Sequence, residues 1–270
     1  SQELVSYLCK VASDDPNPEK AVNPDNPEFD LLNTNRGAAV HALVRCFTHM
    51  EFGDNIFGTL EKVAEDPIIS VKISALRDLA VLMNIDKEKT LRLFLKLTSD
   101  TEDYHIYNAS IHSAQYLSRY NFMSLIPFFE KGIHVEKVQD QLAIVLAIAW
   151  LNDEKGSYGL LKKVWKISDG AKANMVHIAV RNYIGANEKV KSKCETLYRK
   201  FLDSDSKTVI HQYNTAFLHV SPTHFKSFIT LFREFAISKV AAQEPHYFYE
   251  FLAKSSKANP VEVIDMLKHY

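Results

Sequence analysis

Residues 66–97 read DPIISVKISALRDLAVLMNIDKEKTLRLFLKL, and the parsing of this stretch decides the fold. Asp66-Pro67 has the form of a helix start, a capping acid followed by a proline in the first turn, where its missing N–H costs nothing. Ile69, Ile73, Leu76, Ala80 and Leu82 continue a helical stripe, Asn84 to Lys87 turn the chain, and Leu91, Phe94 and Leu97 carry a second stripe. Taken alone the second half is ambiguous, because Leu91, Leu93, Leu95 and Leu97 also alternate as a strand would. Repetition along the chain decides for helix.

Segments beginning at Asn33, Asp66, Asp100, His134, Asp169, Ser204 and Lys239 follow one another every 33 to 35 residues, within the range of helix-pair repeats. Nine positions into the first four stand Ala42, Ala75, Ala109 and Ala143. Ala179 follows one place late, Ala216 is later still, and Phe248 takes the place in the last. A small residue there lets a first helix approach its second helix or the next repeat. Phe225, Phe228, Ile229, Phe232 and Phe235 give the cleanest i, i+3, i+4, i+7 pattern of a second helix. Ser221-Pro222 and Asn259-Pro260 repeat the cap-then-proline device, the latter with Glu262 three residues beyond Asn259.

Composition agrees. Of 270 residues 46% are hydrophobic and 24% charged, which excludes extensive disorder, and 8 glycines with 9 prolines are too few for a sandwich or barrel. Lys+Arg at 32 against Asp+Glu at 33 argues against a general nucleic-acid or membrane-surface binder, while leaving room for a local patch. Cys9, Cys46 and Cys194 are widely spaced and read as reduced thiols of a cytoplasmic protein. The longest apolar run, Leu142 to Leu151, is about half the ~20 residues that a bilayer span requires and reads as a buried helix.

The beginning is different. Leu4, Leu8 and Val11 make a short stripe, and Ser13 to Asn35 is rich in Asp, Asn and Pro, so residues 1–32 are expected to hold a leading helix and a polar connection. The first residue is Ser1, and the leading helix looks like the tail of something preceding it. Missing upstream chain and a modest cap both fit that appearance, since stacked helix pairs need covered ends.

Motifs for chemistry are scarce. Gly53-Asp54-Asn55-Ile56-Phe57-Gly58-Thr59 has the glycine spacing of a phosphate loop, lacks its lysine, and reads as a turn between helices. Cys46 and His49, with His41 nearby, have the spacing of two zinc ligands, but no paired motif supports a metal. His105 with His112, and His219 with His224, read as ordinary surface or hydrogen-bonded histidines. No metal, cofactor or catalytic residue is expected. Lys162, Lys163 and Lys166 in one second helix, and Lys189, Lys191, Lys193, Arg199 and Lys200 in the next, make the one local cationic region. Its lysines are the candidate contacts for an anionic partner, although Glu188 and Glu195 dilute the patch and a solvated face is the simpler reading. Trp150 and Asp153 invite comparison with DNA glycosylases built from helical pairs, but a tryptophan ending an apolar run reads better as helix-end packing, and Asp153 as a loop residue.

Asn33-Thr34-Asn35-Arg36-Gly37-Ala38-Ala39, together with residues 66–97, Tyr116 to Phe129 and Cys194 to Asp203, resembles the HEAT-like helical region of large bacterial ATP-binding proteins of the defence or signalling type. The likeness runs over about residues 25 to 235. It departs from the pattern at Lys72, where an arginine is common, and in the last two repeats. The resemblance implies a non-catalytic array that senses, docks or holds a partner, with Asn33 as a turn or cap, Gly37 allowing close helix approach and Arg36 pairing with a neighbouring repeat. The expectation is therefore an all-α solenoid of about seven HEAT-like antiparallel helix pairs over residues 33–270, recognising a protein partner or an upstream domain of its own parent chain. Tyr247, Phe248, Tyr249 and Phe251 are placed either in contacts or, in preference, in the last core layer. The alternatives are a HEAT-like DNA-binding protein or glycosylase using the lysines, and a passive scaffold.

Overall fold

The computed structural model describes residues 2–14, 26–31, 33–46, 52–99 and 103–269. Among these, every regular element is helical and no strand occurs. None of the described helices is long and apolar enough to cross a membrane. The chain divides into two compact units, residues 1–138 and 139–270.

In the first unit lie α1 (Gln2–Asp14), α2 (Asn35–Cys46), α3 (Gly53–Ala64), α4 (Ile69–Leu76), α5 (Lys87–Thr98) and α6 (Tyr104–Gly132). Helices two apart in sequence pack side by side: α2 on α4, α4 on α6, α3 on α5, with α1 against both α2 and α3. The stretch that the sequence marks as decisive is two helices, as expected, with different joints. Asp66 accepts a hydrogen bond from the Ile68 N–H at 2.9 Å and shapes a turn, so α4 starts at Ile69, two residues beyond Pro67. A 3-10 segment, Leu79–Asn84, then leads to Asp86, whose carboxylate caps α5 by accepting from the Lys89 N–H at 2.9 Å. Leu91, Leu93, Phe94 and Leu97 are all buried, which is how one helix satisfies a pattern that also alternates.

Two expectations need correction. Gly53 to Thr59 is no turn: it forms the first half of α3, because Ile56, Phe57, Leu60 and Val63 supply a buried stripe that outweighs two glycines. Gly53 itself is needed, since a Cβ there would stand 2.8 Å from Ile85 Cγ2. The third repeat, expected from Asp100, has no loop between its helices. Asn121 alone leaves helical geometry (φ −153°, ψ 83°), its side chain accepts from the Ser124 N–H at 3.2 Å, and the two halves of α6 fold back so that Tyr107 stacks on Phe128 at 4.9 Å. Asp100 lies outside the described residues.

Arg36 ties the start of this unit together. Its guanidinium is buried, donates to the Ala12 carbonyl at the end of α1 at 3.1 Å, and pairs with buried Asp66 ahead of α4. Thr34 caps α2 through its hydroxyl to the Gly37 N–H, and Asn33 donates to the Phe29 carbonyl, so the Asn33–Gly37 stretch is a helix entry.

The second unit holds α7 (Gln139–Leu151), α8 (Ser157–Ile167), α9 (Asp169–Tyr183), α10 (Glu188–Arg199), α11 (Lys207–Ala216), α12 (Phe225–Ala236), α13 (Lys239–Gln243), α14 (His246–Ser255) and α15 (Pro260–His269). Here α7 packs on α9, α9 on α11 and α11 on α14, while α10 packs on α12 and α12 on α15. The apolar run of α7 is buried almost all round, as its lack of polar residues requires. Gly170 allows the close approach of α7 and α9: a Cβ would sit 2.0 Å from Asp140 Oδ2, whose partner oxygen accepts from the Ser168 hydroxyl at 2.6 Å. Farther along, Phe217, Phe225, Phe232, Phe235, Phe248 and Phe251 form one aromatic core, with Phe217 4.9 Å from Phe248 and Phe232 5.1 Å from Phe251. Of the four late aromatics, Phe248 and Phe251 are core, Tyr247 is half-buried and Tyr249 is exposed.

Because Arg36 and Asp66 are both buried, losing one strands the other as an unpaired charge. Asp66→Ala is expected to lower unfolding free energy by about 3–5 kcal/mol in urea titrations, whereas the apolar pair Arg36→Met with Asp66→Leu recovers most of it. A loss below about 1 kcal/mol for the single variant, the level of an exposed pair, would contradict this role.

Candidate functional site

The expected cationic region divides into two parts with different fates. On α8, Lys162, Lys163 and Lys166 are exposed, and Lys162 lies over the Tyr158 ring at 4.8 Å. On α10, the lysines are engaged within the protein. Lys189 and Lys193 both hold Asp153, each at 2.7 Å, Lys191 holds Glu188 at 2.8 Å, and Arg199 bridges Glu195 and Glu234 at 2.9 and 2.7 Å. The stripe is thus a set of internal ion pairs along α10 beside three lysines of α8.

Asp153 follows the end of α7, and its backbone takes φ 67°, a left-handed conformation that glycine would adopt at less cost. What an aspartate adds is the carboxylate. The Lys193 ammonium reaches it and also the last carbonyls of α7, Trp150 at 2.5 Å and Leu151 at 3.4 Å, where a cation is favoured by the helix dipole. The same ammonium stands 5.4 Å above the Trp150 ring, which stacks on Tyr158 at 4.9 Å. Hydrogen bonds from Lys189 and Lys193 hold the Asp153 carboxyl below the usual carboxylate range. Trp150 therefore packs at a helix end, and Asp153 is a loop residue that fastens two lysines.

Among the described residues no group of three or more His, Cys, Asp or Glu is arranged to hold a metal ion. His49 and the side chain of Cys46 lie outside the described residues. Cys194 is buried, and burial pushes its thiol up to about 11. Cys9 is half-buried.

What sequence reasoning missed is a polar groove in the first unit. Glu28, Ile73, Arg77, Asp78, Asn108, Ala109 and His112 enclose a groove of about 290 Å³. Asn108 donates to Glu28 at 2.9 Å, and His105 Nδ1 lies 3.8 Å from the same carboxylate. Asp78 is shared by His41 Nδ1 at 3.7 Å and Arg45 Nε at 3.5 Å. Burial pushes the His41 imidazole below its ordinary value, against the pull of Asp78. A signal for this groove does exist in the sequence. Twelve positions into the first three segments stand Arg45, Asp78 and His112, and eight positions in stand His41, Ser74 and Asn108. The pattern HALVR at 41–45 returns as HIAVR at 177–181, on α9, where burial and then Arg181 and His219 lower the His177 imidazole.

Comparison with protein-family models, with curated proteins and with solved structures gives no match to this chain.

The depressed Asp153 carboxyl gives a pH dependence of definite sign. Its ion pairs contribute in full above the ordinary carboxylate range and are lost as pH falls through the lower folded-state value. Protection factors at the junction of α7 and α10, taken relative to the intrinsic exchange rate at each pH, are expected to fall on acidification in the native chain, and Asp153→Asn is expected to show that lower protection already at neutral pH. For the thiols, Ellman's reagent at neutral pH is expected to modify Cys9 well before Cys194, which reacts on unfolding because its thiolate is disfavoured by burial. Equal rates in the folded protein would contradict this.

Proposed function

We propose that this chain is an α-solenoid of HEAT-like helix pairs acting as a non-catalytic module for protein recognition or docking. The observation that carries the reading is the regular side-by-side packing of helices two apart within each unit, α2–α4–α6 in the first and α7–α9–α11 in the second. That arrangement lines up side chains from successive helices at equal register, which gives a long ligand several contacts at a fixed spacing. Arg45, Asp78 and His112 are such a set. On the likeness of residues 33–39 and 66–97, the module belongs to a larger bacterial ATP-dependent protein of defence or signalling, in the cytoplasm, where its partner is a separate protein or an upstream domain.

The DNA-binding or glycosylase alternative asks for exposed cations in a row and a carboxylate able to act on water. Four cations of α10 are occupied by carboxylates, and Asp153 is held by two lysines, which favours the protein-recognition reading. The test compares two titrations. A protein partner recovered by crosslinking in the source cells is expected to rebind the purified chain at one to one. Duplex DNA is expected to give no gel retardation at about 50 mM salt, where phosphate contacts are strongest. Retardation that falls steeply with salt and vanishes in the Lys162→Gln, Lys163→Gln, Lys166→Gln variant, with no rebinding protein, would overturn the reading.

A further inference from the structure

The groove between Glu28, α4 and the first half of α6 holds charges of both signs, and their pairing is uneven. Each carboxylate in it is already engaged. Glu28 accepts from Asn108 and faces His105, while Asp78 is divided between His41 and Arg45. The donor side is different. The Arg77 guanidinium is exposed and has no ion-pair partner among the described residues, and His112, which lines the groove with it, is exposed, its ring 5.0 Å from that of Tyr116. A guanidinium offers five donors in a planar fork, a geometry that matches a carboxylate with two parallel bonds. The Asn108 amide is oriented by its bond to Glu28, which leaves its carbonyl oxygen as an acceptor on the groove.

We propose that this groove recognises an acidic side chain of a peptide segment, the carboxylate seated on Arg77 and His112. The inference rests on the protein-recognition reading and gives it a site and a ligand class. The fixed charges select between anions. A nucleic-acid strand brings phosphates at close, regular spacing, so a phosphate on Arg77 would force its neighbours against Glu28 and Asp78. A peptide carries one carboxylate at a time, and a basic side chain next to it would meet the outer oxygens of Glu28 and Asp78 favourably. The preferred segment is therefore an acidic residue beside a basic one. Arg45 of α2, Asp78 just beyond α4 and His112 of α6 stand at equal register, so a longer segment with polar side chains would continue across the row.

The test is an NMR titration of the whole chain, observing the Arg77 Nε–Hε signal, identified by its absence from Arg77→Gln, and the ring signals of His112. Acetyl-Glu-Lys-amide is expected to move both signals saturably. Acetyl-Gln-Lys-amide is expected to bind at least about tenfold more weakly, equivalent to about 1.4 kcal/mol. Arg77 is exposed, so Arg77→Gln is expected to keep the native spectrum elsewhere while losing the response of His112. No movement of either signal, or equal binding of the Gln and Glu peptides, would overturn the site. A tighter Arg77-dependent response to inorganic phosphate or to a short single-stranded DNA would overturn the peptide assignment. If the partner still rebinds with Arg77→Gln at native strength, the groove fails and the recognition reading stands; if no partner rebinds the native chain, the reading itself fails.

Discussion

A short helix buries only one face on its own partner, and most of its stability comes from what covers the remainder. In this protein the cover is the helix two places along. α9 is the clearest case, packed by α7, α8, α10 and α11, with buried Ala171, Ala173, Met175, Val176, Ile178, Ala179 and Val180 spread over its circumference. Where the first turn of α9 meets α7, a Cβ on Gly170 would run into the exposed Asp140 carboxylate. The recurring alanines serve the same constraint in part: Ala75, Ala143, Ala179 and Ala216 are buried between helices, whereas Ala42 and Ala109 are half-buried.

Packing of this kind fixes where the polar groups must go. Faces turned away from the core collect the charges, and several of these pair between neighbouring helices: Lys89 with Asp54, Lys96 with Glu65, Arg199 with Glu234, Arg233 with Asp265. Each joins a helix to the one that covers it, at roughly one repeat of separation in sequence. Exposed pairs of this sort add little to stability, so their contribution is to the register of neighbouring helices. Arg36 with Asp66 differs because it is buried, and it ties the first turn of α2 to the turn ahead of α4.

Much of the fold was legible because apolar spacing is a local property. The stripes of α5, α7 and α12 could be read directly, and the repeat length chose helix where Leu91 to Leu97 was ambiguous. Joints were less legible. The Asp66-Pro67 signal placed a helix start two residues early because the carboxylate bonds within its own turn, and Gly53 to Thr59 reads as a turn until the buried stripe of Ile56, Phe57 and Leu60 is weighed against it. The loop-free hairpin of α6 rests on the single residue Asn121, which no periodicity announces. The cations of α10 could be found in the sequence, but not their partners across helices, since Asp153, held by Lys189 and Lys193, and Glu234, held by Arg199, lie one segment away. The groove was hidden for the same reason. Its residues come from the segments at 66 and 100 and from Glu28 ahead of the first, and it becomes visible only when register positions other than the small residue are compared.

Where each helix is covered by the helix two along, stability is expected to be local and set by neighbouring interfaces. Native-state hydrogen exchange with Phe248→Ala measures it. Phe248 is fully buried and touches Phe217, Phe232 and Phe235, so its truncation opens a cavity in the last aromatic layer. Protection is predicted to fall in α11, α12, α14 and α15 and to stay unchanged in α2 to α5. A uniform fall of protection through both units would contradict a fold held together by neighbouring helices.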